Sequence, residues 1–138
     1  MRAYVDSSVV LRIVTREPNP LLQWSSIDQY ISSTLLRVEC ARTLERLRMV
    51  DKVPADRLLE YRIIIAAIAE DTELIAIDES VLKLAQGIFA TPLKSLDAIH
   101  LATAVAWRER NLADLPFATH DDRLARAARA AGFEVLGA

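Results

Sequence analysis

Glycine and cysteine are scarce in this chain of 138 residues, which contains three glycines and one cysteine. The glycines lie far apart, so the phosphate-binding patterns GxGxxG and GxxxxGK[ST] are absent, since both need clustered glycines to bring backbone amides close to phosphates. The single cysteine, Cys40, excludes a disulfide framework and a CxxC redox or zinc motif, and it suits a reducing cytosol. The chemistry of this protein must therefore come from other side chains.

Long hydrophobic runs are also absent, although 52% of the residues are hydrophobic. The longest clean apolar run, residues 63–69, is far shorter than the roughly 18 residues of a transmembrane helix. Met1 and Arg2 lead directly into a strand-like segment, so we expect no secretory signal peptide, no membrane association and a cytoplasmic location. Glycine/serine linkers, low-complexity tracts and repeats are missing, and we expect one domain over residues 1–138.

The charge balance gives no first indication of nucleic-acid binding. The 17 basic and 19 acidic side chains give a net charge of −2, which argues against a protein that grips phosphates by charge alone. Lysine is scarce, however, because 14 of the basic residues are arginine. The planar guanidinium group suits phosphate better than an ammonium group does.

Strand-like and helix-like apolar patterns alternate along the chain. Strand patterns occur at residues 3–6, 30–32, 74–77, 117–119 and 133–136, and helical patterns at 9–14, 34–49, 55–69, 80–86, 96–108 and 122–131. This alternation predicts an α/β fold with a parallel sheet of four to five strands and helices on both faces. We also expect a buried strand at 74–77, Ser95 as a helix cap, and residues 63–69 in the core or against a partner.

Four acidic residues occupy positions that suggest one shared site. Asp6 ends the first strand and Asp121 follows the fourth, while Asp97 lies in the first turn of a helix and Glu39 lies within another. Function in parallel α/β sheets gathers at the carboxyl ends of the strands. Four carboxylates converging there would repel one another unless a hard cation held them together. An oxygen-only site favours Mg²⁺ or Mn²⁺, and such ions support the hydrolysis of phosphate esters.

Three of these carboxylates also have a purely structural interpretation. Asp6 could cap the helix that follows it, and Asp97 could simply favour its helix N-terminus. Glu39 could form an ion pair with Arg42 on the helix surface. These interpretations stay open at the level of sequence.

Neighbouring polar residues are expected to have supporting or structural roles. The Thr-x-Asp spacing favours Asp121 over Asp122 as the fourth ligand, which leaves Asp122 as a helix cap or an outer ligand. Asp78 also ends a strand, but we expect it to cap the next helix. His100 follows Asp97 by one turn in an apolar helix, and we expect it to be a packed core residue.

Four short segments resemble, in order, the four acidic motifs of PIN-domain nucleases. These segments are YVDSS at residues 4–8, RVECAR at 37–42, LDAIHLA at 96–102 and THDDRL at 119–124. The resemblance covers essentially the whole chain, including the closing segment AAGFEV at 130–135. Within that family the chain is most similar to VapC-type toxins of bacterial toxin–antitoxin pairs.

The resemblance implies an activity, a cofactor and partners. It implies a single-stranded endoribonuclease that depends on Mg²⁺ or Mn²⁺ and inhibits translation by RNA cleavage. Hydrolysis by a metal-activated water would leave a 5′ phosphate and a 3′ hydroxyl. It further implies homodimerisation and neutralisation by a small antitoxin protein. The implied metal-binding and catalytic carboxylates are Asp6, Glu39, Asp97 and Asp121.

Residues close to these motifs are candidates for further contacts. Ser8 and Thr119 could hold a ligand, or a water on the metal, by hydrogen bonds. Arg42 and Arg46 follow Glu39 by three and seven residues on the same helical face, where they could hold RNA phosphates or an acidic partner segment. Setting the four carboxylates aside leaves 15 acidic against 17 basic side chains, so the rest of the molecule is weakly basic.

Two other functions compete with this interpretation. Haloacid-dehalogenase-like phosphatases use an aspartate after the first strand as a nucleophile, but Asp6 lacks the second aspartate two positions later. A non-catalytic PIN-like module that binds RNA or protein is the stronger alternative, although the complete set of four carboxylates argues against it. The apolar residues 63–69 and the Leu35–Leu36 stripe are candidate dimer or antitoxin surfaces, with core packing as the alternative.

Overall fold

The computed structural model describes all 138 residues and contains five strands and six α-helices. The strands are β1 (Arg2–Val5), β2 (Gln29–Ser33), β3 (Thr72–Ile75), β4 (Phe117–Ala118) and β5 (Val135–Leu136). The α-helices are α1 (Ser7–Val14), α2 (Leu35–Met49), α3 (Ala55–Glu70), α4 (Glu79–Ala85), α5 (Ser95–Asn111) and α6 (Asp122–Ala130). None of these helices combines the length and the apolar character needed to cross a lipid bilayer.

All five strands are parallel and follow the spatial order β3-β2-β1-β4-β5. This arrangement confirms the predicted α/β fold with a parallel sheet. β1 lies at the centre, where Ala3 pairs with Tyr30 of β2 and Val5 pairs with Ala118 of β4. The strand order therefore reverses at β1, and such reversal points open a crevice at the carboxyl ends of the strands.

The central strand sends its side chains into two separate apolar layers. Ala3 and Val5 pack with buried residues of α1 and α2, whereas Tyr4 packs with buried residues of α5 and α6. This division follows from the alternation of side chains along a strand. It confirms the prediction that helices cover both faces of the sheet.

The strand expected at residues 74–77 is displaced and less buried than predicted. β3 spans Thr72–Ile75, because Thr72 pairs with Tyr30 and Ile75 pairs with Ser33 of β2. Only Thr72 is buried in this strand, since β3 lies at the edge of the sheet and borders β2 alone. The apolar run of sequence therefore indicated a strand but not its exposure.

The expectation that Ser95 caps a helix is wrong, and most of residues 63–69 lie outside the buried core, so their burial against a partner stays a prediction. Ser95 is the first residue of α5, and Lys94 occupies the cap position without a side-chain hydrogen bond to the helix. Residues 63–69 lie in the second half of α3, where only Ala69 is buried and Ile63 is 61% exposed. One side of α3 faces α1 and α2, so its remaining apolar side chains lie at the surface of the single chain.

The apolar layer beneath α6 can be tested by shortening one of its side chains. Leu124 is fully buried in the layer that contains Tyr4 and Phe117. We expect Leu124→Ala to lower the free energy of unfolding by about 2–5 kcal/mol, because it leaves a cavity as well as removing apolar contacts. Arg126→Ala, at an exposed position of the same helix, should change it by less than about 0.5 kcal/mol. Urea unfolding measures the change in the free energy of unfolding for each variant. Similar changes in the two variants would contradict this packing.

Candidate active site

An acidic cavity of about 520 Å³ lies at the start of α5 and α6. None of its seven lining residues is hydrophobic. Asp97 contributes from α5, and Asp121 and Asp122 contribute from the beginning of α6. Lys94 and Arg123 are the cationic residues of the lining. The structure thus brings together residues of the third and fourth acidic segments, which are 17 or more positions apart in sequence.

Asp6 is held firmly at the junction between β1 and α1. Its Oδ1 accepts hydrogen bonds from Ser8 Oγ at 2.5 Å and from the Val9 backbone N–H at 3.2 Å, and its Oδ2 accepts one from Thr119 Oγ1 at 2.6 Å. The side chain is the N-cap of α1 and is only 4% exposed. The capping interpretation of Asp6 is therefore confirmed, and its role as a metal ligand stays a prediction.

Ser8 and Thr119 connect Asp6 to the turn that leads into α6. Thr119 Oγ1 accepts a hydrogen bond from the Asp121 backbone N–H at 3.0 Å, and Ser8 Oγ accepts one from the His120 backbone N–H at 3.0 Å. Each hydroxyl donates to Asp6 and accepts from this turn. The two hydroxyls therefore fix the distance between the first and fourth acidic segments.

Asp121, rather than Asp122, caps α6. Asp121 Oδ1 accepts a hydrogen bond from the Leu124 backbone N–H at 2.7 Å, and its second oxygen has no hydrogen-bond partner. Asp122 is the first residue of the helix, so the expectation that it could be the cap is wrong. Both carboxylates line the acidic cavity and are exposed. The preference for Asp121 as the fourth ligand stays a prediction.

Asp97 is half-buried in the first turn of α5 and makes no hydrogen bond within the protein. Burial raises its pKa above the usual value, and the nearby charges of Asp121, Asp6 and, more weakly, Glu39 raise it further, while His100 lowers it. Asp97 is therefore close enough to each of the other three candidate carboxylates to be affected by its charge. Burial also raises the pKa of Asp6, against the opposing effect of its hydrogen bonds.

The Glu39 carboxylate contacts His100. Glu39 Oε1, on α2, contacts Nε2 of His100 on α5, and the Nδ1 atom of His100 lies 2.6 Å from the hydroxyl oxygen of Tyr4. Burial raises the pKa of Tyr4 well above the usual value, so the phenol keeps its proton. His100 is buried, as the sequence predicted, but its two polar partners were missed. Its position three residues after Asp97, on the same face of α5, was the available signal.

Asp97 and Asp121 line the acidic cavity, whereas Asp6 and Glu39 are not part of its lining. No three Asp, Glu, His or Cys side chains lie close enough together to make a complete metal-binding group. Mg²⁺ nevertheless keeps several water ligands and needs only one or two carboxylates from a protein. The all-oxygen donor set fits such a hydrated ion, and so does the pKa of Asp97, which is raised by burial and then by the neighbouring negative charges.

The two arginines proposed from sequence lie outside the acidic cavity. Arg42 lines a second cavity of about 550 Å³ between α2 and α3, together with Arg37 and Arg62. Arg46 is exposed on α2. Sequence reasoning proposed neither of the two cations that line the acidic cavity, Lys94 and Arg123.

Comparison with known proteins agrees with this architecture. The chain matches the PIN domain family over residues 3–130. It is 35% identical over 141 residues to Ribonuclease VapC46 of Mycobacterium tuberculosis (strain ATCC 25618 / H37Rv), which covers 96% of this chain and 95% of the relative. It is 30% identical over 137 residues to Ribonuclease VapC47 of Mycobacterium tuberculosis (strain CDC 1551 / Oshkosh), with coverage of 94% and 92%.

The fold is also found in a solved structure. The crystal structure of a member of the VapBC family of toxin-antitoxin systems, VapBC-5, from Mycobacterium tuberculosis superposes with a TM-score of 0.63 at 15% identity, covering 97% of this chain and 94% of the other. At that identity the likeness concerns the fold. The match over residues 3–130 and the nearly full-length relatives show that this chain belongs to the PIN domain family, among the ribonucleases of VapC type.

Proposed function

We propose that this protein is an Mg²⁺- or Mn²⁺-dependent endoribonuclease that cuts single-stranded RNA in the cytoplasm and inhibits translation as the toxin of a toxin–antitoxin pair. The observation that carries the proposal is the unpaired, half-buried Asp97, whose pKa is raised by burial and then by Asp121 and Asp6. Uncompensated negative charge at the reversal point of a parallel sheet suits a divalent cation. The names of the two relatives, both ribonucleases, support the same reaction class.

Some residues of the proposed site would bind the ion directly, and others keep those metal-binding carboxylates in place. The ion would supply a nucleophile from water at neutral pH and offset charge on the phosphate oxygens. Ser8 and Thr119 keep the Asp6 carboxylate in place through their hydroxyl groups. The expected products carry a 5′ phosphate and a 3′ hydroxyl. The residues that would hold the ion are Asp6, Glu39, Asp97 and Asp121.

Cationic side chains beside the acidic cavity are the proposed contacts for the RNA. Lys94 and Arg123 line the cavity, and neither forms an ion pair with a carboxylate of the protein. Their charges are therefore free to bind the phosphates that flank the cleaved bond. Arg42 and Arg46 stay proposed as more distant contacts for RNA or for an acidic segment of the antitoxin.

The proposed partners are an antitoxin protein and a second copy of the chain. Leu59 and Ile63, one turn apart on α3, are 56% and 61% exposed. They form an apolar face near the arginine-lined cavity between α2 and α3, and such a face suits burial against another protein. The VapBC-5 structure is described as a toxin–antitoxin system, which supports an antitoxin as partner.

A PIN-like module that binds RNA or protein without cutting RNA is the second candidate function. It is favoured by the absence of a group of three close metal-binding side chains. The hydrogen bonds that occupy both oxygens of Asp6 also agree with a structural role for this residue.

The proposed activity predicts metal-dependent cleavage that requires Asp97. Protein freed of any antitoxin should cut single-stranded RNA with Mg²⁺ or Mn²⁺, and EDTA should stop the reaction. Asp97→Asn should lower the rate at least about 100-fold, because the loss of a ligand weakens metal binding and charge stabilisation. Glu109→Gln, at an exposed acidic position of the same helix, should keep the wild-type rate. RNA binding without cleavage by the wild type would favour the second candidate function.

Burial and carboxylate repulsion together predict that the charge of Asp97 lowers the stability of the folded protein. Because the pKa of Asp97 is raised in the folded protein, its contribution to stability falls as the pH rises above the usual value of 3.8, and its charge opposes folding at pH 7. In EDTA we expect Asp97→Asn to raise the Tm by roughly 2 °C, since solvent screening keeps the repulsion below about 1 kcal/mol.

Metal should reverse this order of stabilities. Millimolar Mn²⁺ should raise the Tm of the wild type more than that of Asp97→Asn, because the ion binds the folded state and neutralises the carboxylates. Calorimetry in EDTA and in Mn²⁺ measures the Tm of the wild type and of Asp97→Asn in both conditions. An unchanged wild-type Tm in Mn²⁺, or a lower Tm of the variant in EDTA, would contradict the site.

A further inference from the structure

Three side chains from three different elements form a continuous hydrogen-bonded chain that ends at Glu39. The Tyr4 hydroxyl oxygen, on β1, lies 2.6 Å from His100 Nδ1 on α5, and His100 Nε2 contacts Glu39 Oε1 on α2. Tyr4 and His100 are buried, whereas the Glu39 side chain is 17% exposed. The Tyr4 end of this hydrogen-bonded series is therefore fixed in the core, and the Glu39 end reaches solvent.

The direction of these hydrogen bonds follows from the carboxylate of Glu39. An ionised carboxylate only accepts, so Glu39 Oε1 accepts the hydrogen that His100 carries on Nε2. In the neutral imidazole Nδ1 then carries no hydrogen, and it accepts one from the Tyr4 hydroxyl.

The second oxygen of Glu39 is left without a partner. Oε1 contacts His100, and Oε2 makes no hydrogen bond within the protein. Glu39 lies between exposed Val38 and buried Cys40 on α2, and its contact with His100 restricts the rotamers of its flexible side chain. Carboxylates that bind metals are typically held by such hydrogen bonds, which orient them for the ion.

We propose that Tyr4 and His100 are positioning residues that hold the Glu39 carboxylate in one orientation, with Oε1 anchored and Oε2 available to a divalent cation. The inference rests on the proposed function, in which Glu39 is a metal ligand. It gives His100 a role beyond packing, because both of its ring nitrogens have polar partners in a buried position.

Mn²⁺ affinity, measured by electron paramagnetic resonance titration of the full chain, tests the role of His100. We expect His100→Ala to weaken Mn²⁺ binding by about 10–100-fold, the typical effect of removing a group that orients a metal ligand. His100→Gln restores an N–H donor toward Glu39 and should recover most of the affinity. A role in packing alone would not predict this rescue.

Tyr4→Phe tests the contribution of the hydroxyl group at the buried end of the hydrogen-bonded series. The Tyr4 ring stacks on Phe117 with a centroid distance of 5.0 Å, and phenylalanine keeps that contact while it removes the hydroxyl. We expect Tyr4→Phe to weaken Mn²⁺ binding by a few-fold. Tyr30→Phe is the matched control, because it removes a hydroxyl that donates to the Trp24 carbonyl at 3.2 Å, and it should leave the affinity unchanged.

The tautomer of His100 provides a readout that needs neither metal nor RNA. The chain contains only two histidines, and Nδ1 of His120 lies 2.8 Å from the Gly137 carbonyl oxygen, to which it donates. Nitrogen-15 NMR of the neutral rings should therefore show the hydrogen on Nε2 in His100 and on Nδ1 in His120. Tyr4→Phe should change the ring signals of His100 alone.

The outcomes separate this inference from the proposed function. Wild-type Mn²⁺ affinity in folded His100→Ala, equal effects of Tyr4→Phe and Tyr30→Phe, or a hydrogen on Nδ1 of His100 would each overturn it. If His100→Ala does not fold, the inference is tested by comparing Tyr4→Phe with Tyr30→Phe and by the tautomer of His100. Weakened Mn²⁺ binding in Tyr4→Phe and His100→Ala would support the inference even if the wild type cuts no RNA, a result that would overturn only the proposed function.

Discussion

Repulsion between carboxylates at the carboxyl edge of the sheet is the constraint on which the functional site depends. The pKa of Asp97 is raised by burial and by the charges of Asp121 and Asp6, and burial also raises the pKa of Asp6. The fold offsets part of this unfavourable energy with the hydroxyl groups of Ser8 and Thr119, which hydrogen-bond to Asp6. Asp97 receives no such hydrogen bond, which is why we propose that a cation binds there.

One aspartate can both cap a helix and bind a metal. The charges and burial around the aspartate distinguish such a residue from one that only caps a helix. Asp78 caps α4 with the same local pattern of hydrogen bonds that Asp6 uses at α1. Hydrogen bonds from Ser80 and the Val81 backbone, together with Arg110 at 2.9 Å, lower the pKa of Asp78 to about 2. Asp6 has the opposite shift because it is buried and no arginine or lysine pairs with it. This contrast supports a ligand role for Asp6 and a structural role for Asp78.

The sequence was informative where local patterns determine the outcome. Alternating strand and helix patterns predicted the parallel sheet, and the ends of those strands indicated Asp6 and Asp121. The displacement of β3 depends on its pairing with β2, and the exposure of Ile63 depends on how α3 packs. Neither feature could therefore be predicted from the local sequence. The partners of His100 come from β1 and α2, which are 96 and 61 positions away in sequence, and only the folded chain brings them together.

The central claim is that these carboxylates form a divalent-cation site, and anomalous diffraction from crystals grown with Mn²⁺ tests it most directly. The account predicts an anomalous peak at about 2.0–2.2 Å from an oxygen of Asp97, with the oxygens of Asp6, Asp121 or Glu39 completing the protein ligands. Saturating Mn²⁺ with no peak among these side chains would contradict the account. A peak bound only by other residues would contradict it as well.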